Sequence, residues 1–148
     1  EEILQGGHCL NASGSTPAGN TIKCALYSSN SAVLSKSTTQ WTVASTPTAD
    51  PTNTYEVTTT GSGYTSGGNT LTSTTPVLST DTACCLFAST SWGSTASFTA
   101  RGCLIYNSTN ANKSVCAINF GADKTVTTGT FTIEFPAQTA GNAIIQIA

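Results

Sequence analysis

The sequence predicts an all-β fold: an antiparallel β-sandwich of jelly-roll-like kind, with roughly eight or nine short strands and a short N-terminal extension. Three observations predict it. Of the 148 residues, 29 are threonine and 18 serine. Threonine's branched side chain suits the pleated, half-buried surface of a strand, while serine and glycine supply turns. Apolar residues recur at every second position in short runs, and no stretch sustains a helical period. Between the runs lie Gly, Pro, Asn and Ser clusters at the spacing of a sandwich or barrel.

Element by element, Glu1–Gly7 reads as the end of a short helix stopped by glycines, and residues 1–20 as an N-terminal arm preceding one domain over 21–148. Thr21–Tyr27 is a strand, with Ile22, Cys24 and Leu26 on one face. Ser28–Gln40 is a polar connection and Trp41–Ala44 a second strand. Ser45–Asn53, holding Pro47 and Pro51, is loop. Tyr55–Thr59 is a third strand, and Thr60–Gly68 a glycine-rich flexible loop carrying Tyr64. Thr70–Leu78 resumes as strand, with Pro76 marking an edge or a break. Ala83–Ala88 is strand, and Ser89–Thr95 a turn around Trp92-Gly93. In Ala96–Tyr106 the apolar parity slips near Arg101-Gly102: Phe98 is even, Cys103 and Ile105 odd. A bulge at Gly102, or burial of both faces, accounts for the slip. Asn107–Lys113 is a hairpin loop, Val115–Phe120 a strand, and Gly121–Gly129 a further turn. Phe131, Ile133 and Phe135 alternate with polar residues as strand, and Ala143–Ile147 is the last element.

Composition excludes several functions. Charged residues make up 8% of the chain and the net charge is −2, so the surface is hydroxyl-rich rather than ionic and prone to association. The five basic residues are scattered and leave no footprint for nucleic acid. No apolar run approaches a membrane span. The lone histidine, His8, reads as a solvated residue, and there is no GxSxG nucleophile motif. Gly61–Gly68 lacks the GK[ST] ending of a phosphate loop. The isolated carboxylates suggest no acid–base pair. Catalytic residues are therefore expected to be absent, and cofactors with them.

Six cysteines are present. Cys24, Cys103 and Cys116 fall mid-strand, in line with apolar neighbours, and are expected as buried core thiols. No CxxC pair exists, so a metal site is not expected. The adjacent Cys84 and Cys85 must point to opposite faces. One of that pair (Cys84) and Cys9 are candidates for a cross-link, including one between subunits. Trp41 and Trp92 suit either a core or an interface, and Trp92 in its Ser-Trp-Gly context is the better interface candidate.

Five segments carry a resemblance: 20–27 (NTIKCALY), 63–71 (GYTSGGNTL), 98–106 (FTARGCLIY), 118–124 (INFGADK) and 130–135 (TFTIEF). In that order they resemble a family of small structural proteins of tailed bacteriophages. The chain departs from it in having cysteine at 24 and 103, where the family tends to have valine or alanine. The resemblance implies a non-enzymatic virion subunit assembled in the host cytoplasm. The expected role is capsid cement or decoration on the capsid exterior. The expected partners are the major capsid protein and copies of the chain itself, as trimer or dimer, with neither nucleic acid nor membrane. Contacts are expected in 1–19, 45–53, 60–68 and 91–94, with Trp92, Tyr64, Trp41, Ile3 and Leu4 as interface residues. The alternatives are a tail, neck or fibre subunit, and a secreted carbohydrate- or surface-binding module whose tyrosines and tryptophans form a sugar platform.

Overall fold

The computed structural model describes residues 7–12, 18–28, 34, 38–41 and 55–147. Those residues form seven strands and no helix: β1 (Ile22–Tyr27), β2 (Asn69–Leu71), β3 (Val77–Ser79), β4 (Thr82–Cys85), β5 (Thr90–Asn107), β6 (Lys113–Ile133) and β7 (Ile145–Ile147). They make two antiparallel sheets, one of four strands in the order β2-β1-β5-β6 and one of three in the order β3-β4-β7. The expected N-terminal helix and the strand expected over Trp41–Ala44 fall largely outside the described residues, and Trp41, the described member of the latter, is not in a strand.

The large sheet is covered on both faces where β1 meets β5. On one face Cys24, Leu26, Cys103 and Ile105 belong to the main apolar cluster. On the other, Ala25, Tyr27, Leu104 and Tyr106 form a second cluster with Trp41, whose ring stacks on Tyr106 at 5.2 Å. Strand alternation alone produces this division, because successive side chains point to opposite faces. The parity slip foreseen near Gly102 is present as a register shift between Ala100 and Gly102. Phe98 and Ala100 before it, and Cys103 and Ile105 after it, all reach the main cluster. Both suggested causes, a bulge and two-sided burial, operate together.

Two expected turns are strand instead. Ser89–Thr95 is mostly the start of β5, and Gly121–Gly129 lies inside β6. Their turn residues work as bulges in one long ribbon. Gly93–Thr95 lie opposite Thr130 alone, Phe120–Asp123 opposite Arg101 alone, and Thr127–Thr128 opposite Ser97. Gly121 and Thr128 have φ of 77° and 46°, the left-handed backbone that a bulge uses. The run expected over Thr70–Leu78 is divided into β2 and β3 around Pro76, which has no N–H to donate to a ladder. Residues 55–57 make only a short pairing beside the end of β1.

The small sheet grows from a hairpin whose arms, 72–79 and 82–88, close at Thr80-Asp81. Cys85, Ile144 and Ile145 pack against the main cluster. Gln138 ties the segment before β7 to this hairpin by donating to the carbonyls of Thr75 and Cys84.

Candidate functional site

The glycine-rich segment at 60–68 is a locked excursion, not the loose loop expected. The chain runs beside β1 at Glu56–Val57, leaves it, and rejoins it at Asn69 opposite Cys24. The amide of Leu26 donates to the hydroxyl of Tyr64 at 3.0 Å, a phenol oxygen standing where a strand carbonyl would otherwise accept. That hydroxyl donates in turn to Glu56 Oε1 at 2.7 Å. Ser66 Oγ and the Gly67 amide also donate to the Glu56 carboxylate, at 3.2 and 2.6 Å. Tyr106 closes the other side by donating to the Gly67 carbonyl at 2.8 Å. Gly68 has φ of 68°, and a Cβ there would lie 1.8 Å from the Cys24 carbonyl oxygen, so only glycine fits. Burial, and then the Glu56 charge, push the Tyr64 phenol far above its ordinary range, and Tyr106 is raised by the same two causes.

The expected interface aromatics are inside the protein. Trp92 and Tyr64 are each 3% exposed and Trp41 9%. Tyr64, Trp92, Phe98 and Phe131 form a cluster of stacked and edge-on rings, an arrangement suited to their quadrupoles. Sequence reasoning credited Trp92 to a turn, and its strand parity instead aims it at the core. The same burial removes these three rings from any sugar platform. Ile3 and Leu4 lie outside the described residues, as does the expected contact loop 45–53.

All six cysteines are free. Cys24 and Cys103 are buried, and Cys116 is half-buried on the neighbouring strand. A hydrogen bond with Cys24, then burial, hold the Cys103 thiol well above its usual range. Burial, with Cys103 nearby, pushes Cys116 up to about 12. The Cys103 and Cys116 thiols are therefore protonated and poorly nucleophilic at neutral pH. Cys84, the cross-link candidate, is fully buried on the face away from Cys85, so it cannot meet another subunit without unfolding. Cys85 is the more open member of that pair, and it lines a surface depression together with Cys9.

His8 is also buried, contrary to the solvated position expected. Its Nδ1 lies 3.0 Å from Asn107 Nδ2. Asn107, with no exposed surface, accepts the amides of Thr109 and Asn110 on Oδ1 and donates to Asn20 Oδ1 at 2.9 Å. Asn20 Oδ1 accepts the Cys9 amide at 2.7 Å. An asparagine-centred network thus fastens residues 7–9 to the β5–β6 turn, and Leu10 enters the main cluster.

Among the described residues, two apolar features open to solvent stand out. One is a groove of about 470 Å3 along β6 and the segment after it, lined by Ile118, Phe120, Phe131, Ile133, Phe135 and Ile144, with Lys124 and Glu134 at its polar positions. The other is a row across the small sheet. Leu78, Ala83 and Ile147 are register partners, and Leu78 and Ile147 are 75% and 48% exposed. Alternation places this row on the same face as Cys85 and Ile145, one step beyond where that face meets the core. Leu78 carried no special signal in the sequence. Glu56 carried none either, since its role depends on a loop that returns to it.

Among the described residues, no group of three or more His, Cys, Asp or Glu is placed to hold a metal ion, and no helix is long and apolar enough to cross a membrane. No protein-family model, no curated protein and no solved structure matches the chain.

Proposed function

We propose that the chain is a non-enzymatic structural subunit of a tailed-bacteriophage virion, a cement or decoration protein that binds the major capsid lattice and stabilises the head. In this reading its two sheets stack as a β-sandwich of jelly-roll-like kind, and its work lies in its outer contacts. The observation that carries the reading is where the five resembling segments fall. Segments 20–27, 63–71, 98–106, 118–124 and 130–135 supply β1, β2 with the end of the locked excursion, the second half of β5, and much of β6. The resemblance therefore follows the frame of one sheet rather than scattered turns.

Two further features support a role in assembly. The surface is poor in charge, so neighbouring copies repel one another weakly. Apolar surface stays open along β6 and across the small sheet, and patches of this kind mark contact sites. A cement subunit gains from many copies of a modest contact, because each bound neighbour raises the effective concentration of the next.

The test is location. Antibody or gold labelling of purified particles, imaged by electron microscopy, is expected to place the chain on the capsid exterior. Labelling confined to tail, neck or fibre would move the subunit to that station, and its absence from purified particles would end the reading.

A further inference from the structure

We propose that copies of this chain associate head to tail, with the tip of the β3–β4 hairpin of one copy seated in the β6 groove of the next. The inference deepens the assembly reading above by naming the self-contact, and rests on it only in requiring copies to meet.

The two surfaces differ in shape and match in chemistry. The hairpin tip is convex: Leu78 stands 75% exposed beside a two-residue turn at Thr80-Asp81, where Thr80 takes the left-handed conformation, φ 56°. The groove is concave and floored by phenylalanine and isoleucine, with room for a leucine and its neighbours. Charge decides the fit. Asp81 at the tip and Lys124 in the groove are both exposed, and among the described residues neither side chain has a hydrogen-bond or ion-pair partner. Seating Leu78 on the phenylalanines with Asp81 toward Lys124 pairs the two charges. The reverse orientation sets Asp81 against Glu134, the other charge in the groove. Like-charge contacts of that kind fix orientation more than they set affinity.

Because knob and groove are different patches, the contact is heterologous. It closes into a ring if the rotation allows, and otherwise runs on as a filament. That distinguishes it from a twofold dimer, where one patch meets itself.

The test uses the full chain and three variants, Leu78→Asp, Lys124→Glu and the charge swap Asp81→Lys/Lys124→Glu, in analytical ultracentrifugation. Circular dichroism and thermal melts confirm folding, which substitutions at exposed positions leave intact. The parent chain is expected to form oligomers that dissociate on dilution. Leu78→Asp spoils the knob and Lys124→Glu the groove, and each is expected to weaken self-association at least tenfold. Their equimolar mixture is expected to give one-to-one dimers and nothing larger, since one copy keeps its groove and the other its knob. The charge swap is expected to recover oligomers. A parent chain that stays monomeric at high concentration, or variants that leave the oligomers unchanged, would overturn the proposal. A mixture that stays monomeric would do so too, pointing to a twofold contact or a foreign partner. Capsid labelling and self-association are separate readouts, so the failure of one reading is told apart from the failure of the other.

Discussion

Tyr64 joins a strand amide to a carboxylate through a single oxygen, so its loss is felt at both ends. Tyr64→Phe keeps the ring against Trp92 and Phe98 but leaves the Leu26 amide without its acceptor. The expected cost is about 1–3 kcal/mol, read as a lower urea midpoint with an unchanged m-value. The buried thiols set a second expectation. Cys116 moves from 9.0 in its ordinary state to about 12 in the fold. Below pH 9 the thiol is protonated in folded and unfolded chains alike, and stability is full. As pH rises through that window the unfolded thiol ionises first, so stability falls. Cys103, Tyr64 and Tyr106 are shifted the same way. The melting temperature is expected to drop progressively above pH 9, and Cys116→Val to make the first part of that fall shallower. A melting temperature flat to pH 11 would refute this account. At this scale the core thiols at 24 and 103 were legible because they share strand parity with leucine and isoleucine. Glu56 and His8 were not, because their partners are distant in the chain.

At the scale of elements, the strands over 21–27 and 96–106 and the turn at 107–113 could be read directly, since alternation is unbroken in the first strand, slips only near Gly102 in the second, and the turn residues are clustered. The long ribbon of β5 and β6 could not. Glycine and polar runs at 93–95 and 121–129 signal a local departure from extended backbone, and a single chain does not reveal whether that departure reverses the strand or only bulges it. What decides is a partner strand able to continue past the interruption. The same distinction predicts unequal costs for two left-handed glycines. Gly121→Ala meets nothing within 4 Å and is expected to cost only the conformational penalty of about 1–2 kcal/mol. Gly68→Ala adds a clash with the Cys24 carbonyl and is expected to open the excursion or prevent folding. Comparing the two by soluble yield and thermal melt checks this; equal stability would mean that the excursion is not held against β1.

Across the whole molecule, the all-β class was legible from composition alone, because threonine and glycine in such proportion suit strands and bulges far better than helices. Two sheets were implied by the expected sandwich, but the allotment of strands to each, and the burial of every ring named as an interface residue, were not legible. Both depend on which strands pair across the chain, and alternation gives each strand a face without saying what that face meets. The positions left open to solvent were equally hidden, since Leu78 and Ile147 look like any other strand residues until Cys85 and Ile145, and not they, are seen to pack against the main cluster.

The strand order β2-β1-β5-β6 also governs when the protein can fold. Leu26 must wait for Cys103, and Ile22 for Asn107, so the N-terminal strand leaves the ribosome long before its central neighbour is synthesised. Such distant pairing is slow, and refolding from urea is expected on the millisecond-to-second scale typical of β-rich chains, measurable by tryptophan fluorescence in a stopped-flow mixer. Until then the segment that will become the middle of a sheet travels as bare apolar chain, and a nascent copy is most open to chaperones, or to misplaced pairing with another nascent copy, during that interval.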